Sequence, residues 1–226
     1  MPDPLAGLEE RLGHAFTDRA LLEQALTHRS VGARNNERLE FLGDSIVNFV
    51  IAEAVYQRRP DSAEGDLSRL RATLVKGATL AEIGKSLSVG PLLRLGSGEL
   101  KSGGRRRESI QADAMEALFG AVFLDAGMEA VKAVILDLYA SRLEDLPAAE
   151  SLKDPKTRLQ EWLQGHGLGL PRYETVDASG ADHQRHFKVA CFIQDREEPF
   201  LGEGGSRRKA EQAAAAAAFD NLTSGH

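Results

Sequence analysis

The spacing of apolar residues changes between Leu143 and Asp154, and this change constrains the fold more than any other feature of the chain. Before it, apolar residues recur every three or four positions, for example from Leu39 to Val50. This period is that of an amphipathic helix. No long alternating run of β-branched residues interrupts the pattern. The sequence therefore predicts that the first part of the chain is entirely helical.

After residue 154 the pattern becomes mixed. Asp154-Pro155 suits a helix N-cap followed by a first-turn proline, so a helix is predicted over Lys156 to Gln164. Alternating residues predict short strands, and an alanine-rich stretch that lets a helix pack close to a sheet predicts a last helix. The strands and the last helix are expected at Tyr173–Val176, His186–Ile193, Phe200–Gly202 and Ser206–Leu222.

These patterns predict two domains. Residues 147–153 begin with Pro147 and lie within LEDLPAAESLKD (143–154), which separates two regions of different texture, as is typical of a linker. The sequence thus predicts an all-α domain at residues 1–146 and a small α+β domain, in α-β-β-β-α order, at residues 154–224. Trp162 and Cys191 fall among apolar positions of the second domain and are expected in its core.

Composition excludes several classes of protein. The chain has 28 Lys and Arg against 34 Asp and Glu, a net charge of −6, which argues against a protein that coats nucleic acid non-specifically. A single cysteine excludes an internal disulfide and most zinc sites. The sequence shows no transmembrane stretch and no signal peptide, so a cytoplasmic protein without a membrane partner is expected.

Carboxylates gather on one face of two predicted helices. In the segment NERLEFLGDS (36–45), Glu37, Glu40 and Asp44 share a narrow sector of the helix opposite the apolar residues. Asp113 and Glu116 likewise share a face. Like charges at this spacing repel, so these faces are either solvated surface or the site of a cation. Hard divalent ions such as Mg²⁺ take oxygen ligands and can promote phosphodiester hydrolysis.

Phe41 and His28 each leave two interpretations open. Phe41 lies beside the acids on the helical wheel, where it is either partly in the core or part of an interface with a second copy of the chain. His28, in ALTHRS (25–30), is either structural or a general base. The Gly96 to Arg107 segment has glycines and four basic residues, and could be a solvated loop or a flexible clamp on a phosphate strand.

With these motifs the chain resembles the ribonuclease III family, the bacterial double-stranded RNA endonucleases. NERLEFLGDS matches the family's signature segment, and four further segments agree in order. The second domain resembles a double-stranded-RNA-binding domain, most clearly at DPKTRLQEWLQ (154–164) and GGSRRKAEQAAA (204–215). Gln111, where the family usually has an apolar residue, is a departure. The four further segments are ALTHRS, EGDLSRLRATLV, LGSGELKSGGRRRE and SIQADAMEALFGAVFLD.

The resemblance implies a homodimeric endonuclease with a catalytic valley across the dimer interface. It implies Mg²⁺, with Mn²⁺ able to substitute, and no organic cofactor. The expected products have 5′-phosphate and 3′-hydroxyl ends with short 3′ overhangs, and the family's substrates are ribosomal RNA precursors and structured messages. By motif match, the metal-binding residues would be Glu40, Asp44, Asp113 and Glu116. Of these, Asp44 and Glu116 would also be catalytic. Glu37 and Glu64 would be further acids of the valley, and Phe41 would insert into the partner subunit.

The RNA contacts are expected in the second domain, because double-stranded RNA is recognised mainly by shape across two minor grooves. By family match they are Thr157, Gln160, Glu161 and Gln164 on the first helix, and His183 and Gln184 in a turn. Three basic residues opening the last helix would bind phosphate through their charge and free backbone N–H groups, unless they form only a solvated turn. These are Arg207, Arg208 and Lys209.

Two other functions are compatible with the same sequence. The chain could be a double-stranded-RNA-binding regulator that does not cut, although such a protein would be expected to have lost at least one of Glu40, Asp44, Asp113 and Glu116. It could also be a helical dimerisation scaffold whose acids are ordinary surface charges. Such a protein would not be expected to bind Mg²⁺ or Mn²⁺.

Overall fold

The chain divides into two compact units in a computed structural model, Met1–Ala149 and Glu150–His226. The structure describes residues 3–179, 185–194 and 196–224. The predicted RNA contacts His183 and Gln184 therefore lie outside the described residues. No described helix is long and apolar enough to cross a membrane.

The first unit is helical, as predicted from its apolar spacing. Its two longest helices, α3 (Glu37–Arg58) and α7 (Glu108–Leu138), supply much of the buried core, including Val47, Ile51 and Phe119, each fully buried. The chain of α7 is broken at Gly127, whose φ of 83° lies in the left-handed region. The helices are α1 Pro4–Leu12, α2 Arg19–Ala25, α3 Glu37–Arg58, α4 Glu64–Val75, α5 Gly77–Ser86, α6 Ser97–Lys101, α7 Glu108–Leu138 and α8 Ala140–Glu144.

The basic segment at Gly96 to Arg107 is more ordered than the flexible loop that its glycines suggested. It contains α6 and a single 3₁₀ turn at Gly104–Arg106. Gly103, with a φ of 80°, reverses the chain between them. The guanidinium of Arg107 lies 2.7 Å from the carboxylate of Glu99, which ties the end of the segment to its beginning.

The second unit has the α-β-β-β-α order expected from the sequence. Asp154 caps its first helix by accepting a hydrogen bond from the backbone N–H of Lys156, with Pro155 in the first turn. The three strands form one antiparallel sheet in the order β1-β2-β3. The elements are α9 Pro155–Gly165, β1 Arg172–Ser179, β2 His186–Phe192, β3 Phe200–Gly204 and α10 Arg207–Thr223.

The sheet and the two helices of the second unit enclose a small core. Cys191 is fully buried there and Trp162 packs against it, as expected for both residues. Burial raises the pKa of the Cys191 thiol, which keeps it protonated and inert. At Gly202 an added Cβ would overlap the backbone nitrogen of Ala214, so the alanines of α10 let the helix lie directly on the sheet.

Candidate active site

Two glycines bring α3 and α7 into backbone contact at the level of the acids. A Cβ added to Gly43 would overlap the carbonyl oxygen of Glu116 and lie 2.9 Å from the backbone nitrogen of Gly120. A Cβ added to Gly120 would in turn overlap the carbonyl oxygen of Leu39. Glycine inside a helix costs about 1 kcal/mol relative to alanine. Because glycine is unfavourable inside a helix, the presence of two glycines here is the only local sign of a close contact. The spacing of apolar residues does not reveal it.

This contact brings together acids that are far apart in the sequence. One carboxylate oxygen each from Glu40, Asp113 and Glu116 lies within 4.8 Å of the others. All three side chains are partly buried. Glu40 comes from the first turn of α3, and Asp113 and Glu116 come from successive turns of α7. Three converging carboxylates form an oxygen-only donor set, which suits a hard divalent cation.

The remaining predicted acids lie outside this group of three. Asp44 is exposed, and its carboxylate accepts a hydrogen bond of 2.9 Å from the side chain of Asn48. Its charge nevertheless acts on Glu116. Glu37 is exposed and lies 3.5 Å from the guanidinium of Arg29. Glu64 accepts a hydrogen bond from Ser68 and lines a separate groove of the same unit.

Protonation is favoured throughout the group of three acids. Burial, followed by the charges of Asp44, Glu40 and Asp113, raises the pKa of Glu116 to about 8. The pKa of Glu40 is raised by burial and then by Asp113. That of Asp113 is raised by burial, against the lowering effect of His28 and Arg29. Because Glu116 holds its proton at neutral pH, a divalent cation that binds at this group can replace that proton.

A cavity of about 430 Å³, which we call the acid-side cavity, opens beside these acids. Glu40 and Asp113 are on its wall, so whatever enters the cavity lies next to the candidate metal ligands. Its other lining residues come from the ALTHRS segment, the start of α3, the Gly96–Arg107 segment and the start of α7. These residues are His28, Arg29, Ser30, Asn36, Glu37, Glu99, Arg107, Ser109 and Ile110.

The predicted RNA contacts of the second unit that the structure describes are all exposed. Those on α9 follow one another at positions i, i+3, i+4 and i+7, which places them on a single face. At the start of α10, Ser206 caps the helix, Arg207 pairs with Glu211 at 3.0 Å, and Lys209 has no ion-pair partner among the described residues. The α9 residues are Thr157, Gln160, Glu161 and Gln164.

Phe41 lies on the surface of the first unit, with 78% of its area exposed. The partial-core interpretation is therefore wrong for the single chain, because the α3 face that carries Phe41 points away from α7. Elsewhere on α3, Phe49 and Tyr56 are also more than half exposed, and they line an apolar groove of about 320 Å³ together with Glu64 and Leu67 of α4.

Comparison with known proteins decides what this arrangement is. Residues 18–143 match the Ribonuclease-III-like family, and residues 155–222 match the double-stranded RNA binding motif. The chain belongs to the ribonuclease III family. It is thus a double-stranded-RNA-specific endoribonuclease, and neither a regulator that does not cut nor a scaffold.

Relatives within the ribonuclease III family match over the whole chain. The chain is 59% identical to Ribonuclease 3 of Alkalilimnicola ehrlichii, over 100% of this chain and 99% of that protein. It is 53% identical to Ribonuclease 3 of Vibrio campbellii, over 100% of each chain.

Solved structures of the family resemble the first unit. The nuclease domain of ribonuclease III from Campylobacter jejuni superposes with a TM-score of 0.61 at 39% identity, covering 65% of this chain and all of that one. A second structure of that domain, described for flexibility in a region involved in dimer formation, gives 0.60 at 42% identity, covering 61% of this chain and 96% of that one.

Proposed function

We propose that this ribonuclease III cleaves RNA duplexes at the cluster of Glu40, Asp113 and Glu116, with Mg²⁺ as its ion and Mn²⁺ able to substitute. The observation that supports this most is the convergence of three carboxylates from two helices within 4.8 Å. The high pKa of Glu116 supports it too, because such a group gains most when a cation replaces its proton.

Six acids have distinct parts in this proposal. Glu40, Asp113 and Glu116 would hold the ion directly, and Asp44, one turn after Glu40 on α3, would complete the set from the solvent side. When bound, a divalent cation supplies the positive charge that activates water and stabilises the leaving oxygen. Asp44 and Glu116 would face the reacting phosphate, and Glu37 and Glu64 would add negative charge to the surrounding valley.

The second unit would hold the duplex. The polar face of α9 fits one minor groove, and Arg207, Arg208 and Lys209 fit the phosphates next to it. The turn with His183 and Gln184 would reach the following minor groove. The reaction gives 5′-phosphate and 3′-hydroxyl ends with short 3′ overhangs, as in processing of ribosomal RNA precursors and structured messages.

Removing the ion is expected to abolish cleavage. A long RNA duplex should be cut in the presence of Mg²⁺ and remain intact in EDTA, and added Mg²⁺ or Mn²⁺ should restore cutting. Gel analysis with end mapping measures both the rate and the ends. Undiminished cutting in EDTA, or ends with a 2′,3′-cyclic phosphate, would contradict the metal-dependent mechanism.

We also propose that two copies of the chain assemble so that Phe41 of each lies in the apolar groove of the other. The exposed ring and the groove lined by Phe49, Tyr56 and Leu67 are chemically complementary. A contact of this kind is reciprocal in a two-fold dimer, so one residue contributes twice.

Phe41→Asp is expected to weaken the dimer by about 100-fold or more. Burying one phenylalanine side chain is worth about 1.5–3 kcal/mol, the contact occurs twice, and each 1.4 kcal/mol is a factor of ten. Analytical ultracentrifugation over a concentration series measures the change. Leu100→Asp, which alters an exposed apolar residue of α6, is the control. Equal dissociation of both variants, or of neither, would argue against this contact.

A further inference from the structure

The acid-side cavity contains two neutral polar groups that the proposed chemistry leaves unused. Asn36 is a buried polar residue, 2% exposed, that lines the cavity, and its side-chain amide makes no hydrogen bond within the described part of the chain. His28 is half-buried and lines the same cavity. Both residues line the cavity with hydrogen-bonding groups that no described residue uses, so a ligand that enters the cavity can bind them.

The hydrogen bonds around His28 determine which ring nitrogen is free. Nδ1 accepts from the backbone N–H of Ser30 at 3.2 Å and lies 2.8 Å from the Ser30 hydroxyl. Because Nδ1 accepts a backbone N–H it carries no proton, so the Ser30 hydroxyl, which accepts from the backbone N–H of Gly96 at 2.8 Å, donates its own proton to Nδ1. The neutral ring therefore has its proton on Nε2, which makes no hydrogen bond with any described residue.

The backbone holds both residues in place. The N–H of His28 donates to the carbonyl oxygen of Arg94 at 3.0 Å, and the N–H of Asn36 donates to that of Thr27 at 2.9 Å. The carbonyl oxygen of Asn36 accepts from the N–H of Glu40, one of the candidate metal ligands, also at 2.9 Å. The free groups are thus fixed relative to the acids before any ligand arrives, as a specific binding site requires.

Charge in the cavity favours a neutral ligand group over a phosphate. Arg107 pairs with Glu99 at 2.7 Å and Arg29 lies 3.5 Å from Glu37, so both guanidinium groups that line the cavity already face carboxylates. The other charged lining residues are Glu40 and Asp113. Besides the exposed hydroxyl of Ser109, what remains is one amide, with donors and an acceptor, and one imidazole N–H donor. A hydroxyl group, which both donates and accepts, matches this set.

We infer that Asn36 and His28 bind the 2′-hydroxyl of a ribose close to the cleaved bond, and thereby position RNA and discriminate against DNA at the active site. The hydroxyl oxygen accepts from His28 Nε2–H, and its proton is donated to the amide oxygen of Asn36. A 2′-hydroxyl is the group by which a protein distinguishes RNA from DNA at a given position. This inference rests on the proposed cleavage site, because it places the ribose next to Glu40 and Asp113.

The test uses the full-length protein and duplexes with one 2′-deoxy nucleotide, moved one position at a time across the cleavage site. The wild-type protein should show one position near the cut at which the deoxy substitution lowers kcat/KM about tenfold or more, since both hydrogen bonds of the hydroxyl are lost. A 2′-fluoro nucleotide, which cannot donate, should not restore the rate there. A scan without a sensitive position, on a substrate that the protein does cut, overturns the inference but leaves the cleavage proposal intact.

Variants show whether Asn36 and His28 are responsible. Asn36→Ala should cut the all-RNA duplex about tenfold more slowly, yet lose less from the deoxy nucleotide at the sensitive position than the wild-type protein does, because only the hydrogen bond from His28 is left to lose. His28→Gln, which keeps a donor in a similar place, should retain more activity than His28→Ala. If the loss of rate caused by the variant and the loss caused by the deoxy nucleotide at that position combine as independent effects, the inference is overturned.

A binding measurement separates positioning from general damage to the fold. In the Glu116→Gln background, which is expected to bind without cutting, the single deoxy substitution should weaken binding of a short duplex measurably. Asn36→Ala in that background should reduce the difference between the two duplexes, leaving only the part that depends on His28. A difference that Asn36→Ala leaves undiminished overturns the assignment, and the wild-type scan tests it even if the alanine variant fails to fold.

Discussion

Replacing Glu116 with Gln is expected to lower the rate of RNA cleavage by about three orders of magnitude or more, with little change in the affinity for a duplex. The substitution keeps the size of the side chain but removes one anionic oxygen from the group of three acids. A metal ion is worth several kcal/mol of transition-state stabilisation, and each 1.36 kcal/mol is a factor of ten in rate. Single-turnover cleavage and a filter-binding titration in EDTA measure the two quantities.

The control for this variant is Glu129→Gln, which removes a charge from a position further along α7, beyond the break at Gly127. It should cut RNA at the wild-type rate. Replacing a metal ligand or a group that supports one typically lowers activity by about tenfold or more. If Glu116→Gln retained cleavage within about tenfold of wild type, the proposed metal site would therefore be wrong.

The same substitution should stabilise the metal-free protein at alkaline pH. The pKa of Glu116 is about 8 in the folded chain against an ordinary value of 4.5, so the folded state binds more protons between these values. The free energy of unfolding therefore falls as pH rises across this range. Glu116→Gln removes this loss, and in EDTA at pH 8 its Tm should exceed that of wild type by about 2–4 °C for each kcal/mol recovered. The advantage should vanish near pH 4.5, which calorimetry can check.

Gly43→Ala is expected to reduce both stability and cleavage severely. The added methyl group would overlap the carbonyl oxygen of Glu116, and neither backbone can move away without separating α3 from α7. Overpacking usually costs about 1–3 kcal/mol, and a clash between two backbones lies at or above the upper end of that range. The separation also moves Glu40 away from Asp113 and Glu116, so cleavage should fall even at temperatures at which the variant is folded.

Gly98→Ala is the matched control for that experiment. A Cβ at Gly98, in α6, would meet nothing within 4 Å, and its φ is not in the left-handed region. The change should leave cleavage unaltered and raise the unfolding free energy by up to about 1 kcal/mol. Denaturant titration of the two variants measures the contrast, and similar values for both would contradict the close approach of the two helices.

The sequence predicted the features of this fold that depend on local patterns. Apolar spacing located α3 and α7, and the Asp154-Pro155 pair located the start of α9, because both signals are read within one or two turns of the chain. The same helical spacing correctly assigned Glu40 and Asp113 to the acidic faces of their helices.

Features that depend on contacts between distant segments could not be predicted in this way. The helical wheel treated Glu37, Glu40 and Asp44 alike, but of these three only Glu40 has a carboxylate oxygen within 4.8 Å of both Asp113 and Glu116, at the helix contact that Gly43 and Gly120 form. Asn36 opens the NERLEFLGDS segment, but helical spacing did not single it out, because its backbone pairs with Thr27 nine residues earlier, outside α3. Long-range pairing of this kind has no periodicity in the sequence.

Backbone contact at Gly43 and Gly120 has a consequence for how this enzyme can change over evolutionary time. Where two helices are spaced by side chains, each apolar replacement shifts the spacing, because cores are closely packed. Here contact between main-chain atoms sets the spacing of the two helices beside the acids. Apolar residues elsewhere along α3 and α7 can therefore be replaced as growth temperature changes, while the distance between the carboxylates stays the same.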